Sequence, residues 1–118
     1  MTVYRIYREN EEQHTRSIQP WTTEEIINAY NNESWHETEL ILTTENKEEA
    51  KAFFEKEKEH CITRYVKHTF GYLLEADILT FAEEELDEEG EFISGDYIDQ
   101  YADPYTVEET EEDEEDEE

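Results

Sequence analysis

The residues of this chain whose spacing comes nearest to a known chemistry are carboxylates. Glu85, Asp87, Glu89, Gly90, Phe92 and Asp96 fall at positions 1, 3, 5, 6, 8 and 12 of the spacing used by twelve-residue calcium-binding loops. Such loops take Asp at the first position and a bidentate Glu at the last, and here the two are Glu85 and Asp96. The same stretch is also a Gly-containing turn between apolar segments, so a hairpin is expected, with weak divalent-cation binding as a by-product of crowded carboxylates.

Nucleophilic and metal chemistry have less to work with. The four histidines, His14, His36, His60 and His68, include no pair at the helical spacing that binds zinc, and the chain has no Gly-x-Ser-x-Gly elbow, phosphate loop or dinucleotide fingerprint. Cys61, the single cysteine, follows His60 and reads as a small buried thiol at a helix end, because reactive thiols need electropositive surroundings. One cysteine excludes an internal disulfide and a multi-cysteine zinc site. No catalytic residue, metal site or cofactor is expected, and the protein is not read as an enzyme.

Charge is the dominant feature. All nine basic residues lie at or before Lys67, whereas residues 68 to 118 hold 22 of the 36 acids and no Lys or Arg. The first 67 residues therefore carry 14 acids against those nine bases, and the rest is an unrelieved anion within a net charge of −27. Like charges crowded this way destabilise the compact state through self-repulsion, so the field itself is the place to look for function. Binding to nucleic acid or to an anionic membrane requires clustered Lys and Arg and is disfavoured. The complementary partner is a basic protein surface. No apolar run approaches the roughly 20 residues of a membrane span, and MTVYRIYRENEE lacks a secretory pattern, so a cytoplasmic location is expected.

At 118 residues, with 35% hydrophobic and 13% aromatic content, the chain can build one small aromatic-rich core. Residues 1–105 are expected to form a single α+β domain, and 106–118 a disordered acidic tail, since Glu108 to Glu118 has ten acids in eleven positions and no apolar residue. Thr2 to Arg8 alternates as a strand. Pro20 to Glu25 is a helix start in which Thr22 and Glu25 form a capping box, with Ile26, Ile27 and Tyr30 on one face to about Asn31. Glu37 to Thr44 reads as a strand, and Ala50, Phe53, Phe54 and Glu57 mark a second helix to about His60. Ile62 to Phe70 alternates as a third strand, ended by Gly71. Tyr72 to Glu85 fits both periodicities, and strand is preferred because the turn at Asp87 to Glu91 suits a hairpin. A last element holds Tyr97, Ile98 and Tyr101 and stops at Asp103-Pro104. The predicted architecture is α+β: a small, mostly antiparallel sheet of about four strands, with two helices packed on one face. Trp21 and Trp35 are expected in the core. Tyr97, Tyr101 and Tyr105, spaced by four, would share a face if helical.

The candidate partner-binding residues are Glu75, Asp77, Glu83, Glu84, Glu85, Asp87, Glu88, Glu89, Glu91, Asp96, Asp99, Tyr101 and Asp103. Same-face side chains on a strand repeat about every 6.6 Å, so a sheet with its loops can approach the charge spacing of a phosphate backbone. In size, acidity and its single small α+β domain, the chain resembles the DNA-mimic inhibitors of phages and mobile elements, such as anti-CRISPR and antirestriction proteins. This resemblance spans the whole chain as composition and architecture. It implies competitive exclusion of DNA from a basic nucleic-acid-binding protein, such as a CRISPR or restriction nuclease. The alternatives are a module that binds basic proteins through the acidic tail, and a weak divalent-cation binder.

Overall fold

The computed structural model describes residues 1–33 and 38–106. Trp35, His36 and the acidic tail from residue 107 onward lie outside the described residues. The elements run β1 (Thr2–Thr15), α1 (Thr23–Asn31), β2 (Thr38–Thr44), α2 (Lys47–Glu57), a 3-10 turn (Lys58–His60), β3 (Thr63–His68), β4 (Gly71–Leu86) and β5 (Phe92–Ala102). They form an α+β domain built on one antiparallel sheet of five strands, one more than the sequence suggested.

β4 organises the sheet. Along one edge it pairs with β1 over fourteen consecutive partners, from Thr2 opposite Glu85 to Thr15 opposite Tyr72. Its other edge is shared end to end, with β3 against Thr63↔Ala76 to His68↔Gly71 and β5 against Ile78↔Ala102 to Leu86↔Phe92. β2 then adds to the far side of β1. This pairing settles the double periodicity of Tyr72 to Glu85 as strand. The segment looked helical because Ile78 to Ala82 are all buried, and a central strand covered on both faces loses its polar alternation.

The helices lie on opposite faces, which corrects the one-face expectation. α2 closes a cluster of Ile6, Ala50, Phe54, Cys61, Leu79 and Phe81, whereas α1 closes one of Ile26, Tyr30, Ala76, Ile78 and Ala102. Ile78 and Leu79 are adjacent on β4 and must point to opposite sides of the sheet. One strand therefore serves two small cores, and Phe81 meets Phe54 at a ring separation of 5.7 Å.

Local signals are realised closely. Thr22 accepts from the Glu25 amide and Glu25 from the Thr22 amide, the capping box that starts α1. α2 is capped by Asn46, two residues beyond Thr44. Gly71 sits at φ +140°, where an added Cβ would lie 2.5 Å from the Thr15 carbonyl oxygen. No helix among the described residues is long and apolar enough to cross a membrane.

Candidate functional site

Among the thirteen candidate residues the sheet register makes a sharp division. Glu75, Asp77 and Glu84 sit on β4 opposite the cation-bearing strands and are drawn into ion pairs. Glu75 meets Arg64 at 3.1 Å, and Asp77 meets Arg8 at 3.5 Å while accepting from the Ile62 amide at 3.0 Å. Glu84 is only 6% exposed, with Arg5 Nη1 at 2.9 Å and the Tyr7 hydroxyl at 2.5 Å. Burial and the bond to Glu84 push the Tyr7 phenol up to about 12. These three acids are structural partners of the few arginines and do not form part of an open anionic face.

Tyr101 and Asp103 are also drawn inward. Tyr101 packs against the α2 core with the Lys58 ammonium 5.1 Å from its ring, and donates to Asp103 at 3.3 Å. The helical face of tyrosines is corrected too, because β5 is a strand. The register shift between Phe81 and Ala82 places Tyr97 opposite Ala82 and Tyr101 opposite Leu79, on different sides of the sheet. Tyr105 instead bridges Trp21 and stacks edge-on against Tyr65.

Most of the remaining acids gather at the β4–β5 hairpin end, whereas Asp99, opposite Phe81, lies toward the other end of β5. Glu83, Glu88, Glu89, Glu91, Asp96 and Asp99 are exposed and make no ion pair among the described residues. Glu83 stands directly opposite Asp96, and Glu85 opposite Ser94, on the face that α2 covers farther along. Glu85 pairs with the N-terminal ammonium at 3.5 Å; the Thr2 hydroxyl first, and that ammonium next, hold its carboxyl below the ordinary value. Asp87 shapes the turn, accepting from the Glu89 and Glu91 amides at 2.9 and 2.8 Å. Gly90 closes it at φ +87°. The expected hairpin is thus formed at the calcium-like spacing, and oxygens of Asp87, Glu89 and Glu91 come within 4.8 Å of one another, close enough to hold a cation.

The bases Arg16 and Lys67 lie at the far end of β1 and β3, beside Gly71. Thirteen residue steps along β1 separate the two ends, or roughly 40 Å at about 3.3 Å per residue. Screening acts over about 8 Å at physiological salt, so these cations do not relieve the acidic end. Cys61 is buried, and burial, followed by the charge of Asp77, pushes its thiol up to about 11, so it stays protonated at neutral pH.

A concave region was not legible in the sequence. On the α1 side, beyond that helix, a cavity of about 500 Å³ opens between β1, β4 and β5. Its floor is the small residues Thr80, Ala82 and Gly95, and Tyr7, Phe92 and Tyr97 stand around it. Phe92 and Tyr97 are 60% and 65% exposed. Glu9 and Glu84 complete the base; Glu9, only 7% exposed, takes hydrogen bonds from the hydroxyls of Thr80 and Tyr30. The available signal was the pair of small residues Thr80 and Ala82 at alternate positions of β4, which becomes the floor of a cavity only once Gly95 of β5 is in register beside them. No protein-family model, curated protein or solved structure matches the chain.

Proposed function

We propose that this protein is a non-enzymatic inhibitor that mimics nucleic acid, occupying the basic groove of a DNA-binding protein such as a CRISPR or restriction nuclease and excluding DNA from it. The observation that carries this reading is the cluster of exposed acids at the β4–β5 hairpin end, Glu83, Glu88, Glu89, Glu91 and Asp96, without an ion-pair partner among the described residues. Neighbouring strands are about 4.8 Å apart and same-face residues about 6.6 Å, so Glu83, Asp96 and the turn acids form a dense anionic edge on the hairpin. Such an edge accelerates encounter with a cationic groove and engages its Lys and Arg at contact. Direct binding to nucleic acid or to an anionic membrane runs against the same charge.

The test is displacement of labelled DNA from a candidate nuclease. Wild type should compete at low salt and lose at least tenfold in potency as salt rises. The quadruple substitution Glu83→Lys, Glu88→Lys, Glu89→Lys and Glu91→Lys should abolish competition with an unchanged circular dichroism spectrum. Equal potency of that variant would refute the reading. Truncation after Tyr105 separates it from a tail-based module for basic proteins, since only the latter loses all binding. The convergence of Asp87, Glu89 and Glu91 favours weak divalent-cation binding as a second property. Calorimetric titration with calcium measures it.

A further inference from the structure

The cavity on the α1 side of the sheet joins three features that one kind of ligand satisfies together. Aromatic side chains at Tyr7, Phe92 and Tyr97 line it, no Lys or Arg side chain does, and Glu9 and Glu84 place carboxylate groups at the base; these already accept from Thr80 and Tyr30 and from Arg5 and Tyr7, and a carboxylate, with about four lone-pair sites, can accept more than two bonds. Rings and carboxylates around one concavity suit a cation that is flat, weakly hydrated and able to fork its donors. Guanidinium meets that description better than ammonium, because it stacks on aromatic faces and bonds carboxylates through two donors. The volume of about 500 Å³ lies within the range of small-ligand sites. It adjoins the anionic hairpin end, so a basic segment steered there arrives beside it. Gly95 keeps the base open, since a Cβ there would come within 3.0 Å of Glu84 Cγ and 3.1 Å of Phe92 Cε1.

We propose that the cavity bounded by Tyr7, Ala82, Phe92 and Tyr97 receives an arginine side chain of the basic partner and acts as the anchor of the complex. This rests on the inhibitor reading for the identity of the partner, whereas the chemistry of the site can be measured without it.

The experiment titrates the full chain with N-acetyl-arginine methylamide and, separately, with the neutral citrulline analogue, following backbone amides by two-dimensional NMR. Arginine should give saturable shifts at Tyr7, Gly95 and Tyr97, and citrulline should bind at least tenfold more weakly. Ala82→Leu, which fills the cavity, and Tyr97→Ala, at an exposed position where truncation leaves the core intact, should each remove the saturable shifts. Equal binding of citrulline would overturn the proposal, as would non-saturating shifts spread over Glu83, Glu88 and Glu91, or wild-type titrations of both variants. The DNA-displacement assay distinguishes the two readings. A wild-type chain that never displaces DNA refutes the inhibitor while the arginine titration still judges the cavity; a Tyr97→Ala chain that displaces DNA as well as wild type refutes the anchor and leaves the inhibitor standing.

Discussion

Replacing Arg5 with Met would strand the Glu84 carboxylate, and the size of the loss follows from the surroundings of that group. Glu84 is 6% exposed and is held by Arg5 at 2.9 Å and by the Tyr7 hydroxyl at 2.5 Å. Removing one member of a buried ion pair costs about 3–5 kcal/mol, because the other charge stays desolvated. Three features place this case at or below the low end. The Arg5 side chain is 21% exposed, Tyr7 remains as a donor, and Arg5 Nε is buried with no hydrogen-bond partner in the wild type, which already subtracts from the gain. The expected loss is about 2–3 kcal/mol, or roughly 0.7–3 M in urea midpoint for a domain with an m-value near 1–3 kcal/mol/M. Equilibrium urea unfolding at pH 7 measures it. Arg5→Met with Glu84→Leu should recover most of the loss, since both charges then leave together. A loss under about 0.5 kcal/mol, or no recovery in the double variant, would refute the argument that desolvation of Glu84 is what Arg5 relieves.

Two further outcomes bear on the fold. Because the Tyr7 phenol is raised from 10.0 to about 12, the unfolded chain releases this proton first, and stability present below pH 10 should be lost as pH rises toward 12. Thermal melts should show a shallower alkaline decline in Tyr7→Phe, and identical declines would contradict the shift. Phe54→Ala empties the α2 core between Ala50 and Phe81 and should cost about 3–5 kcal/mol by urea unfolding. A cost below about 1 kcal/mol would mean that α2 is not packed on Phe81 as described.

Local chemistry was readable wherever a short segment decides its own conformation. The Thr22 and Glu25 capping box, the Asp87 to Glu91 turn and the alternation of Thr2 to Arg8 all need only near neighbours. β1 nevertheless runs on to Thr15 through the polar ENEEQHT, because β4 supplies fourteen partners to pair with. Composition could not announce that continuation. The tyrosine spacing misled for a related reason: a register shift within β5, set by pairing to β4, sends Tyr97 and Tyr101 to opposite faces.

From sequence alone came the segregation of charge, with every base at or before Lys67 and 22 acids after it, since formal charge belongs to residues whatever their conformation. Tertiary structure decided which of those acids face solvent. Pairing β1 and β3 against β4 spends Arg5, Arg8 and Arg64 on Glu84, Asp77 and Glu75 and leaves Glu83, Glu88, Glu89, Glu91 and Asp96 at the hairpin end without an ion pair among the described residues. The same register places the helices on opposite faces and opens the cavity. These outcomes turn on contacts between residues as far apart as Arg5 and Glu84, whose meeting is dictated by strand register and not by any pattern within either segment.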